Sequence, residues 1–105
     1  MTTENTVPAP ERWIMHAPVV SESHISEETA EWLDRKTLHR PTVSSIVWAF
    51  AGGWLIDAAA AFHEKAGDMP DDIWQVCAWV VEGNFEWVRI DPDGDLIADL
   101  PVFDW

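Results

Sequence analysis

The sequence predicts an α+β fold: a small single-domain β-α-β-β-α-β layered sheet with two helices on one face. Three observations lead there. Two stretches, Ser26–Lys36 and Pro70–Glu82, combine helical end signals with apolar residues at helical spacing. Apolar, β-rich stretches alternate with them and are bounded by glycine and proline turns. A chain of 105 residues can bury one hydrophobic core and has no room for a second.

Met1–Arg12 is polar, contains Pro8 and Pro10, and lacks periodicity. It is expected to be a flexible N-terminal tail (residues 1–12) ahead of one α+β domain over residues 13–105. His16–Glu22 reads as a first strand, with Pro18 near its start or on an edge, where a missing N–H does least harm. Ser26 is a natural N-cap for the helix to Lys36. Glu27 and Glu28 in its first turn, and Arg35 and Lys36 in its last, complement the helix dipole. Trp32 and Leu33, with Thr29 one turn earlier, form its buried face, and Thr37–Pro41 is a loop.

Thr42–Ala51 is β-rich, and Gly52-Gly53 reads as a two-residue hairpin turn, because glycine tolerates the positive φ such turns need. Trp54–Ala58 is the expected return strand. The Ala58–Ala61 run has strong helix propensity and supports the competing reading of Trp54–Lys65 as a helix. Ala66–Met69 is a loop. Pro70 suits the first turn of the second long helix, with Asp68, Asp71 and Asp72 at its positive end. Ile73, Val76, Cys77 and Val80 make its buried stripe, and Gly83-Asn84 ends it. Phe85–Ile90 is a strand with Phe85, Trp87 and Arg89 on one face and Glu86, Val88 and Ile90 on the other. Asp91-Pro92-Asp93-Gly94 fits a type I turn. Leu96–Ala98 is a candidate short strand, and Leu100–Trp105 an apolar tail expected to pack back on the body.

Charge is the unusual property. Nineteen acids face six bases, a formal net charge of −13, and residues 67–105 hold ten of the acids and one base, Arg89. Such a surface repels nucleic acid and anionic lipid and attracts basic partners. The bland alternative is acidity that serves solubility or salt adaptation. One cysteine excludes a disulfide within the chain and favours a reducing compartment. No apolar run approaches the ~18–20 residues that cross a membrane. A cytoplasmic setting, in a bacterium or delivered into one, follows as the expectation.

No catalytic constellation emerges. Asp91, Asp93, Asp95 and Asp99 have the odd-number spacing of a calcium loop, but Leu96 stands where the sharp-turn glycine belongs and Val102 where the bidentate glutamate belongs. His16, His24, His39 and His63 lack zinc-ligand spacing. Cys77 on a buried stripe reads as packing rather than as a nucleophile. No metal, cofactor or enzymatic activity is assigned, and the few bases argue against direct nucleic-acid binding.

The carboxylates are the functional candidates: Glu27, Glu28, Glu31, Asp34, Asp68, Asp71, Asp72, Glu82, Glu86, Asp91, Asp93, Asp95 and Asp99. Duplex DNA shows one charge per ~1.7 Å of axis. A surface carrying ten or so carboxylates would substitute in part for one groove's phosphates if they shared a face. Trp32, Trp74, Trp79 and Trp87 lie in elements with buried faces and read as core. Trp54 near the hairpin and Trp105 at the end are candidate exposed anchors, since tryptophan is enriched at binding hot spots.

Several motifs carry a resemblance: His24-Ile25-Ser26-Glu27-Glu28-Thr29, Trp32-Leu33-Asp34, Gly53-Trp54, Met69-Pro70-Asp71-Asp72-Ile73, Ile90-Asp91-Pro92-Asp93-Gly94 and Leu100-Pro101-Val102-Phe103-Asp104-Trp105. Together they span most of residues 24–105. The chain resembles a family of small acidic proteins borne on bacterial plasmids and phages, often encoded near anti-restriction genes, and departs from it around Ala58–Ala61. The resemblance implies a mobile-element setting and no activity to carry over. The expected function is therefore an anti-CRISPR or anti-restriction inhibitor. It would bind a basic nucleic-acid-binding protein or defence complex through a nucleic-acid-mimicking acidic surface. The alternative is a non-enzymatic accessory interaction domain that uses its apolar C-terminal tail.

Overall fold

The computed structural model describes residues 16–37, 47–50, 52–65 and 67–104. The expected tail over residues 1–12, Trp105, and parts of the expected 37–41 loop and 42–51 strand lie outside them. The elements run β1 (Val19–Ser21), a 3₁₀ turn (Glu22–His24), α1 (Glu27–Lys36), β2 (Val47–Phe50), β3 (Gly53–Asp57), α2 (Ala58–Glu64), α3 (Asp71–Glu82) and β4 (Trp87–Asp91). This is the expected α+β class, with one helix more than predicted among the described residues.

The sheet order is β1-β4-β3-β2. β3 pairs antiparallel with both neighbours, and β1 pairs parallel with β4 through Val19↔Arg89, Val20↔Ile90 and Ser21↔Asp91. The parallel strands are direct neighbours with no strand between them, so the order differs from a split βαβ arrangement. Register places Val20, Ile90, Val88, Trp54, Ile56 and Val47 on one side of the sheet. All six are buried and join Ala30, Trp32, Leu33, Ala58, Ala61, Ile73, Val76, Cys77 and Val80 of the helices in one core. The other side carries Val19, Arg89, Leu55 and Trp48, and a Trp48–Trp87 ring pair at 5.4 Å. Trp87 is half-buried there and is not part of the helix-side core.

Local chemistry explains the element ends. The Ser26 side chain accepts from the Thr29 N–H, so α1 begins where its cap predicts. β2 and β3 pair through Phe50↔Gly53, so Gly53 belongs to the return strand rather than to a Gly52-Gly53 turn. Of the two glycines, Gly52 alone has positive φ, at 89°. The chain between Trp54 and Lys65 divides between the two competing readings: strand to Asp57, helix from Ala58. Asp57 makes the switch, because its carboxylate accepts from the Ala60 N–H and caps α2. Ala58 therefore opens the helix instead of ending the strand.

Pro70 stands at the N-cap of α3, one residue before the position predicted for it. At the other end, Phe85 N–H donates to Val80 O and Asn84 N–H to Val81 O, with Asn84 at φ 66°. That is a Schellman ending, with Asn84 rather than Gly83 in the left-handed region. The Asp91–Gly94 turn closes with Gly94 N–H donating to Asp91 O. Leu96–Ala98 forms no strand. The chain instead touches β1 through one parallel bridge, Val20↔Asp95. A side chain at Gly94 would come within 2.4 Å of the Val20 carbonyl, so the close approach of two backbones, rather than φ, demands glycine.

Candidate binding groove

Two buried polar devices shape the surface around the candidate residues. The first is a buried polar ring that locks the starts of α1 and α3 together. Asp72, 9% exposed, accepts from the Ser26 N–H at 2.7 Å, the Thr29 hydroxyl at 2.5 Å and its neighbour Ile73 N–H at 2.8 Å. Ser26 Oγ–H in turn donates to Thr29 Oγ1. Asp72 is thus withdrawn from the acidic surface assigned to it. Its neighbours remain outside: Glu27, Glu28 and Asp71 are exposed at the shared end of the two helices.

The second device is His24, fully buried in the 3₁₀ turn. Its Nδ1 lies 2.7 Å from Pro101 O, and its Nε2 accepts from the Ile97 N–H at 2.8 Å. The proton therefore sits on Nδ1. Phe103 N–H also donates to Ser23 O, at 2.7 Å, and Leu100 enters the core. These contacts hold residues 97–103 against the body and beside α3. Sequence reading gave His24 no role, since only the folded chain brings it to the backbone of residues 97 and 101.

Between that segment and the outer face of α3 runs a solvent-open groove. One lobe, of about 280 Å³, is lined by Trp74, Gln75, Ala78, Trp79, Glu82, Asp99 and Leu100. The other, of about 230 Å³, is lined by Trp79, Glu82, Gly83, Phe85 and Asp99. Trp79 is half-buried against the core, and Phe85 is 40% exposed. The groove thus joins aromatic surface to the Glu82 and Asp99 carboxylates, and among the described residues no cation lines it.

The remaining candidates fall elsewhere. Glu31 and Asp34 are exposed on α1, and Asp34 accepts from the Trp54 indole at 3.1 Å. Trp54 itself is buried rather than an exposed anchor, because its register opposite Ile90 turns it into the core. Asp68 is exposed, accepts from the Trp32 indole at 3.1 Å and lies 3.4 Å from Lys36. The indole bond, helped by Lys36, holds its carboxyl below the usual carboxylate range. Asp91, half-buried, pairs with Arg89 at 3.0 Å, while Asp93 and Asp95 are exposed beside it in the turn. Glu86 precedes the start of β4 and Asp91 ends it, so these acids occupy opposite ends of one strand. Apart from buried Asp72, the candidate carboxylates are thus carried by α1, by α3 and the residues just before it, by both ends of β4 and by the segment after it.

Cys77 is buried and free, and burial, with the nearby Asp57 charge, pushes its thiol up to about 12. Among the described residues no group of His, Cys, Asp or Glu is arranged to hold a metal ion. No described helix is long and apolar enough to cross a membrane.

Neither the curated proteins nor the solved structures contain a match to the chain. A family profile does match, over residues 17–105, with the description "Family of unknown function (DUF5983) C-terminal domain". The matched stretch runs from the approach to β1 through both walls of the groove. The chain belongs to this family.

Proposed function

We propose that this domain is a non-enzymatic inhibitor that occupies the nucleic-acid-binding surface of a basic protein. The targets that fit the sequence resemblance are host defence complexes of the restriction or CRISPR type. One observation carries the reading: exposed acids lie on all three helices and in the turn after β4, while three of the four described cations, all but Arg35, are engaged within the chain. Lys36 serves Asp68, Arg89 serves Asp91, and Lys65 stands 4.9 Å from the centre of the Trp74 ring. With nineteen acids against six bases, the outward field is dominated by the carboxylates left over, which draws a cationic channel from a distance. Several acidic patches suit a target that wraps the domain better than a flat one-sided contact.

The accessory-domain alternative relies on a free apolar tail. Its Val102 is 63% exposed, but Leu100 is buried and Phe103 is bonded to Ser23. That arrangement favours the charged surface. The test is capture of partners from a bacterial lysate at low and high salt, read by mass spectrometry. A basic nucleic-acid-binding complex recovered at low salt and lost at high salt supports the proposal. A partner retained at high salt contradicts it.

A further inference from the structure

The groove beside α3 has a more specific chemistry than the surface around it. We infer that it takes an arginine side chain from an extended segment of the basic partner, with the guanidinium against Trp79 and its N–H groups on Glu82 and Asp99. This rests on the reading of the domain as a binder of basic proteins and names the contact by which it would hold one.

Three features of the groove converge on that ligand. Glu82 and Asp99 come from different parts of the chain and line both lobes with Trp79. Two carboxylates lining one groove with an indole offer acceptors for a planar fork of donors and a π face for its plane, which suits guanidinium better than the compact ammonium of lysine. Trp79 is half-buried and Phe85 exposed, so an aliphatic arginine stem has apolar surface to cover. The same helix already makes a related contact internally. One turn back, Trp74 carries Phe62 stacked at 5.2 Å and the Lys65 ammonium 4.9 Å from its ring centre. Trp79 has no such cation among the described residues, although it stands beside two carboxylates. Gly83 keeps the second lobe open: a Cβ there would press to 3.3 Å from the Phe85 ring.

The test is an NMR titration of the isotope-labelled full chain with the tripeptide acetyl-Gly-Arg-Gly-amide. Its isosteric citrulline analogue, which lacks the charge, is the control. The expected result is saturable shifts of the Trp79 indole and of the Glu82, Gly83 and Asp99 amides with the arginine peptide alone. E82Q and D99N, both at exposed positions that leave the fold intact, should each weaken binding about tenfold. Equal shifts with citrulline, shifts spread evenly over all the acidic patches, or none at the groove would each overturn the inference. Because the probe contains no nucleic-acid-binding target, its failure leaves the lysate result standing. A peptide that binds while no basic complex is captured would instead count against the inhibitor reading alone.

Discussion

Asp72 shows how a single carboxylate can be recruited by the fold. It looks like one more surface acid in an acidic chain, yet it accepts three hydrogen bonds and ties the first turn of α3 to the cap of α1. Removing it leaves the Ser26 N–H and the Thr29 hydroxyl without their acceptor. Asp72→Ala should cost about 2–4 kcal/mol in urea denaturation, several times the effect of neutralising exposed Asp71. Asp68 titrates with a readable sign. Its folded pKa lies below the unfolded value near 3.8, so its contribution is present above that value and is lost as pH falls through the folded one. The Trp32 indole N–H resonance should follow this titration and stop doing so in Asp68→Asn. Cys77, with its thiol at about 12, should resist alkylation at pH 8 until the protein unfolds. Rapid labelling of the native protein would refute its placement in the core.

At the scale of elements, strong local chemistry was legible in the sequence. Ser26 and the charge order of α1, the apolar stripe of α3 and the Asp91–Gly94 turn all stand where their residues place them. What was not legible depended on competition or on distance. The Ala58–Ala61 run and the preceding Trp54–Ile56 strand favour different structures, and the Asp57 side chain decides the boundary between them. Leu96–Ala98 has strand-like residues, but only Asp95 bridges β1, beyond which the chain is held by His24. Trp54 was read as exposed because nothing local reveals that it lies opposite Ile90. The groove was invisible for the same reason: Glu82 and Asp99 meet only once residues 97–103 are docked. Two substitutions test this docking. Gly94→Ala should force β1 and the turn apart and cost about 1–3 kcal/mol in denaturation. His24→Ala should leave the Ile97 N–H without its acceptor, cost about 2–4 kcal/mol, and speed amide exchange at Ile97 and Phe103 more than in α1. Uniform exchange across the domain would contradict the latch.

For the whole molecule, the decisive quantity is the field of its charges. A net charge of −13 on 105 residues raises the question of what opposes it, and two of the four described cations, Lys36 and Arg89, are already engaged with carboxylates of the same chain. The patches differ in character: a helix-end patch at Glu27, Glu28 and Asp71, a turn patch at Asp93 and Asp95, and an aromatic groove at Glu82 and Asp99. Long-range attraction is therefore expected from all of them and specific grip from the groove. The most direct test is displacement of fluorescent duplex DNA from purified restriction and CRISPR effector complexes, measured by anisotropy at about 50 and 300 mM salt, where screening differs severalfold. At least one effector is expected to release its DNA stoichiometrically at low salt, and high salt or joint neutralisation of Asp71, Asp93 and Asp95 to abolish the release. No displacement from any effector at low salt, or displacement indifferent to salt and to those substitutions, would contradict the proposed inhibition.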